Sequence, residues 1–193
     1  TYAGSERLQR EAQRIVEDRK TVFSRLLREQ PAKIEPLQLV VNHEKWMALT
    51  RDGRPRQTTV ARSDEMKRQV GQMMDWNVIQ DSQEANVSHV HLCKKPHSDE
   101  LRFTIDYRNV NETLDSMGWP LPNITAMLQR LGAKKPKFFA VLDLTKGYYQ
   151  APLAVNSRKF TAFVTPNGTY EWTRVPMGLK NAPAYFQKAI QFE

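Results

Sequence analysis

Cysteine is nearly missing from this sequence: Cys93 is the single one in 193 residues. No internal disulfide can staple the fold, and a reducing compartment is expected. No apolar run approaches the ~18 residues of a membrane-spanning helix, so no membrane partner is expected. The N-terminus, TYAGSERLQRE, has neither an initiator Met nor the apolar stretch of a signal peptide, and the missing Met reads as a piece of something longer. Clustered charge is missing too. The net charge is +8, but residues 1–60 hold 12 Lys and Arg against 8 acids and the remainder 17 against 13. So even an excess favours anionic partners, nucleic acid first, without marking where they bind. There is no internal repeat and no low-complexity segment. What is present is 40% hydrophobic residues, enough to build a real core in one large domain or two small ones.

The periodicities predict an α+β chain. Leu8, Ala12, Ile15, Val16, Val22, Phe23, Leu26 and Leu27 recur at helical spacing over residues 5–30, up to Pro31. Residues 31–62 read as irregular, with room for a short strand at 37–41. A second helix is expected from Ser63 as N-cap, with Asp64 and Glu65 in its first turn and Met66, Val70, Met73 and Met74 on its apolar face. From residue 86 the period becomes two. Val90 and Leu92 alternate with His89, His91 and Cys93, and Leu101, Phe103, Ile105 and Tyr107 alternate with polar neighbours. PHSD lies between the runs, so a hairpin is expected. Asn123 caps a short helix that Gly132 should stop. FFAVLDL follows as an apolar strand, then KFTAFVT, a PNGT turn, TYEWTRV, and a last helix from about Asn181.

Three places carry chemistry. Asp143 closes FFAVLDL, with Phe139, Val141 and Asp143 on one face. A carboxylate there needs compensation, and a metal ion can supply it, although a lone Asp in such a place is ordinarily a strand-to-turn residue. The bend that follows, through Lys146 and Gly147 to Tyr148, offers backbone amides suited to a phosphate. Lys94, Lys95 and Arg102 put three cations on the hairpin, able to grip a triphosphate or simply to keep an edge soluble. Met177-Gly178 makes a flexible junction before the last helix, where Gly lets backbone approach a ligand closely. His89, His91 and Cys93 are zinc-ligand types on one strand face. They lack a fourth partner, and successive positions on one strand suit a tetrahedral metal poorly, so they read as polar residues of the hairpin.

Taken together and in order, LRFTIDYRNVN, FFAVLDLTKGYYQAPL and TRVPMGLKNAPAYFQ resemble successive sequence blocks of reverse transcriptases, most closely those of gypsy-like LTR retrotransposons. WPLPNITAMLQRLG and the lead-in DEMKRQVGQMMDWNVIQDS fit the same pattern. The likeness covers residues 61–193. It is weaker over 31–60 and absent from the N-terminal helix.

The resemblance implies a right-hand polymerase fold. Residues 1–60 would be an N-terminal helix and irregular lead-in. Residues 61–193 would be fingers, up to about 118 and again over 151–181, with palm between and after. It implies an RNA-directed DNA polymerase domain adding dNTPs to a primer on an RNA or DNA template. Asp143 would be a catalytic carboxylate holding two Mg²⁺ ions. Lys95, Arg102, Lys146, Gly147, Tyr148, Met177 and Gly178 would contact the incoming dNTP, with Tyr148 excluding a ribose 2′-hydroxyl, and Arg108 would contact the template. The family's other two metal-binding carboxylates lie in an aromatic-x-Asp-Asp hairpin, and this sequence stops before that hairpin and the thumb. Alone, the chain is therefore expected to be inactive. RNase H and integrase segments are expected in the parent polyprotein, and an intracellular particle, cytoplasmic, as its location. The rival expectation is a catalytically dead nucleic-acid-binding relic of such an element.

Overall fold

In a computed structural model, residues 4–49 and 53–192 are described. Five strands form one sheet: β1 (Ile79–Asp81), β2 (Ser88–Lys94), β3 (Leu101–Ile105), β4 (Phe163–Thr165) and β5 (Gly168–Trp172), in the order β1-β5-β4-β2-β3. The expected hairpin is β2–β3, with Val90 opposite Ile105, Leu92 opposite Phe103 and Cys93 opposite Arg102. Ser88, Val90 and Leu92 are buried and the intervening histidines half-exposed, so period two decides which face meets the core. β4 lies parallel to β2, Ser88 opposite Phe163. A parallel neighbour requires a long crossover, here the whole stretch 95–162. The PNGT turn joins β4 to β5, with Gly168 at φ +151°. Phe163 is fully buried at the sheet centre, its ring 5.6 Å from Phe103, 5.8 Å from Tyr170 and 6.0 Å from Trp172.

Eight α-helices and a 3-10 turn at Lys159–Thr161 are found among the described residues: α1 (Glu6–Asp18), α2 (His43–Met47), α3 (Val60–Asp75), α4 (Arg108–Thr113), α5 (Ile124–Lys134), α6 (Gly147–Gln150), α7 (Val155–Arg158) and α8 (Ala182–Phe192). None is long and apolar enough to cross a membrane. The chain divides into two compact units. One takes residues up to Leu27 together with Pro120–Lys146, and so holds α1 and α5. The other takes Arg28–Trp119 and everything from Gly147, and so holds the sheet and the remaining helices. In this sheet unit, residues 32–39 are stitched to the 150–157 segment. Ala32 N donates to Gln150 O, Leu37 N to Pro152 O, and Leu39 N to Ser157 Oγ at 2.9 Å. Residues 37–41 form only isolated bridges, Leu37 to Leu153 and Val41 to Leu114.

Four expectations are corrected. The first helix ends at Asp18 rather than 30: α1 buries no residue. Without a packed face, only local terms such as the Glu17–Lys20 pair hold it, and these fade over the Thr21-Val22 pair of β-branched residues. The second helix is capped by Thr59, whose hydroxyl accepts from Arg62 N, and Ser63 lies inside it. The earlier cap adds a turn. Gly132 does not stop α5. Ala133 and Lys134 continue it, and the reversal falls at Lys135, φ +43°, which precedes Pro136 and is thereby disfavoured in the right-handed region. FFAVLDL forms no strand. A strand needs a neighbour for its backbone groups, and none pairs with 138–144 among the described residues. Phe139, Val141 and Leu142 are accordingly 73%, 90% and 80% exposed.

Candidate functional site

The hairpin fixes the first group of residues. Lys95 follows β2 with the same parity as Cys93, and Cys93 stands opposite Arg102 in the register, so Lys95 and Arg102 share the face turned away from Val90 and Leu92. Lys95 Nζ bonds the Glu100 carboxylate, which is pulled below its ordinary value by that contact. Lys94 pairs with Asp99 at 3.4 Å. Both pairs are exposed, where an ion pair contributes little and exchanges readily for another anion. The Arg102 side chain is exposed and has no hydrogen-bond or ion-pair partner among the described residues.

The same face continues into His91 and His89. Arg56 lies against the His91 imidazole, and His89 Nε2 donates to Arg54 O at 3.1 Å. Partial burial, with Arg56 nearby, holds His91 below its usual value. Among the described residues no three His, Cys, Asp or Glu side chains are grouped to hold a metal. Arg108 is 83% exposed and forks onto Asp106, Nε to Oδ1 at 2.9 Å and Nη2 to Oδ2 at 2.7 Å. That guanidinium holds the Asp106 carboxyl down at about 2.

The second group is the loop before α8. Gly178 has φ +97°, and a Cβ there would meet the Tyr107 ring at 3.4 Å and Ile105 O at 3.7 Å. Only glycine turns the chain so close to β3 without strain. Met177 is exposed, whereas Leu179 is buried as the anchor of the loop. The Asn111 amide donates to Gly178 O at 2.9 Å and accepts from Lys180 N at 2.9 Å. Lys180 Nζ donates to Leu114 O, and the Asn181 amide accepts from Met117 N at 3.1 Å and donates to Asp115 O at 2.8 Å. Neither asparagine announces this role in sequence. A side-chain amide suits bracketing a backbone segment, but its target lies 67 positions away.

The third group is α6. Tyr148 is half-buried with its ring edge-on to Phe186 of α8 at 5.1 Å. Tyr149 packs on Trp172 at 5.0 Å, and burial pushes its hydroxyl up to about 12. Arg174, buried to 4% exposure, donates to Tyr149 O and Glu29 O, fixing the helix that carries Tyr148. Lys146 precedes Gly147 in a left-handed conformation, φ +48°, a turn type in which consecutive amides can face one anion.

Asp143 belongs to the other unit, as does Lys146. It is exposed on the unpaired 138–144 stretch rather than at the end of a buried strand. Thr145 Oγ1 donates to Ser24 O at 2.7 Å two positions later. Lys95, Arg102, Arg108, Gly147, Tyr148, Met177 and Gly178 all lie in the sheet unit. Asp143 is exposed, and among the described residues it belongs to no group of three or more His, Cys, Asp or Glu side chains.

The chain is similar to known proteins in sequence and in fold. Over 130 residues the chain is 37% identical to the retrovirus-related Pol polyprotein from transposon 297 of Drosophila melanogaster, covering 65% of this chain and 12% of that protein. Over 138 residues it is 36% identical to the corresponding polyprotein from transposon gypsy of the same organism, covering 69% and 13%. The chain thus spans about an eighth of the length of these relatives. Its fold superposes with a TM-score of 0.75 on a foamy viral protease-reverse transcriptase solved in complex with RNA/DNA hybrid, at 17% identity, over 97% of this chain and 24% of that one. That likeness shows a mixed α+β fold common to the two chains. The family model described as reverse transcriptase (RNA-dependent DNA polymerase) matches residues 93–192, and the chain belongs to that family.

Proposed function

We propose that this chain forms the dNTP-gripping fingers and the start of the palm of a retroelement polymerase that copies an RNA or DNA template from a primer. The observation that carries the reading is the hairpin, where Lys95 and Arg102 share one exposed face and Arg102 is unengaged among the described residues. Two cations on a rigid support can hold a triphosphate, and a planar guanidinium adds paired hydrogen bonds. Met177 and Gly178 would lie against the nucleotide, the amides of Lys146 and Gly147 against its phosphates, and Tyr148 against its sugar. Arg108, preset by Asp106, would contact the template backbone. Two relatives of the fold were solved with RNA/DNA hybrid and with double-stranded DNA, which supports such partners here. Mg²⁺, when bound in the complete site, would supply Lewis acidity to the phosphoryl transfer, and Asp143 would contribute one of several carboxylates.

The reading is tested on the full-length protein that carries this sequence, by primer extension on a defined template with the parent and Asp143→Asn. Incorporation that follows the template base and is lost in the variant is expected. Duplex binding without incorporation by the parent would instead favour a non-catalytic nucleic-acid-binding element.

A further inference from the structure

We propose that Asn111 is a positioning residue for the nucleotide-facing loop, acting through the backbone of Gly178 and Lys180. The inference deepens the reading of Met177 and Gly178 given above and rests on it. The loop must hold two opposed features at once. Gly178 is turned into the left-handed region at φ +97° and presses close to Tyr107, while Met177 is left exposed on its other side. A glycine in a loop otherwise has the widest choice of conformations, so something must restrict it.

The Asn111 side chain does so from both ends. Its Nδ2 donates to Gly178 O and its Oδ1 accepts from Lys180 N, each at 2.9 Å, so that one amide brackets the turn around buried Leu179. Asn111 is itself held, because its backbone N donates to Tyr107 O at 2.8 Å and the Tyr107 hydroxyl donates to Thr161 O at 2.9 Å. The loop is thereby tied to the end of β3, the strand that carries Arg102. A second amide, Asn181, makes the reverse connection onto the Asp115 and Met117 backbone. Asn181 is buried, and its removal would disturb the packing beneath α8. Asn111 is half-exposed, so its loss should loosen the loop and spare the core.

The test measures two quantities on the full-length protein, amide exchange over residues 176–182 and single-nucleotide incorporation, in the parent and Asn111→Ala. Loss of two neutral hydrogen bonds should speed exchange in that segment roughly tenfold, with the sheet unchanged. KM for dNTP should rise roughly tenfold with kcat held within about twofold. Asn111→Asp keeps the acceptor for Lys180 N and gives up the donor to Gly178 O, so it should fall between. Unaltered exchange at 176–182 overturns the clamp. Faster exchange with an unchanged KM overturns its positioning role, as does faster exchange throughout the sheet, the mark of a merely structural residue. A parent without incorporation sinks the polymerase reading instead, and the exchange result separates that failure from this one.

Discussion

Tyr148 and Asp106 are each held by a neighbouring side chain, Phe186 and Arg108. The Tyr148 ring is held edge-on by Phe186, so it is a fixed wall and not a free flap. In the full-length protein, Tyr148→Ala should admit ribonucleotides far more readily, because the space a 2′-hydroxyl would need is opened. Comparing dNTP and rNTP efficiencies checks this, and an unchanged ratio would make Tyr148 a packing aromatic only. Asp106 gives a pH prediction. Arg108 lowers its carboxyl from 3.8 to about 2, and a depressed acid contributes stability above its unfolded value and loses it as pH falls through the folded one. Stability should therefore decline between about pH 4 and about pH 2. Asp106→Asn should flatten part of that limb, other contributions coming from Glu65, which Arg68 also holds at about 2, and from Glu100, which Lys95 holds below its ordinary value. Superimposable acid limbs for parent and variant would contradict the assignment. Arg102 and Lys95 could be proposed from sequence because their chemistry and parity are local. The engagement of Asn111, Arg174 and Asp106 could not, since each depends on a partner or a burial that only the folded chain reveals.

At the scale of elements, period and turn chemistry carried the β2–β3 hairpin, the PNGT turn and the Asn123 cap, whose Oδ1 accepts from Ala126 N at 3.0 Å. Where local rules competed, the boundary moved: Thr59 outranked Ser63, and Pro136 outranked Gly132 in setting a helix end. FFAVLDL marks the limit of such reading. Its apolar content was legible, but a strand needs a neighbour to pair with, and among the described residues nothing pairs with 138–144. The short β1 and the one-turn helices α2, α4, α6 and α7 were invisible for a related reason, being too short to show a period and held by contacts distant in sequence. Packing around Phe163 gives an element-scale prediction. It packs against Phe103 of β3 and against Tyr170 and Trp172 of β5, so Phe163→Ala should cost about 3–5 kcal/mol in denaturant unfolding. A loss below about 1 kcal/mol would mean that the sheet does not close around that ring.

For the whole molecule, the +8 charge spread along the chain and the hairpin cations should serve different partners. Duplex affinity rests on many dispersed cations and should depend steeply on salt, whereas nucleotide use should rest on a few fixed ones. The measurement that separates them is single-turnover incorporation over a range of dNTP concentrations, with duplex binding at the same salt, for the full-length parent and Arg102→Ala. A charge-assisted hydrogen bond contributes ~1.5–3 kcal/mol, so apparent dNTP affinity should fall roughly ten- to a hundredfold. Duplex affinity should fall much less, and its salt slope by about one unit at most. If duplex binding falls as far as incorporation, Arg102 grips nucleic acid rather than the triphosphate, and the account of the hairpin is wrong.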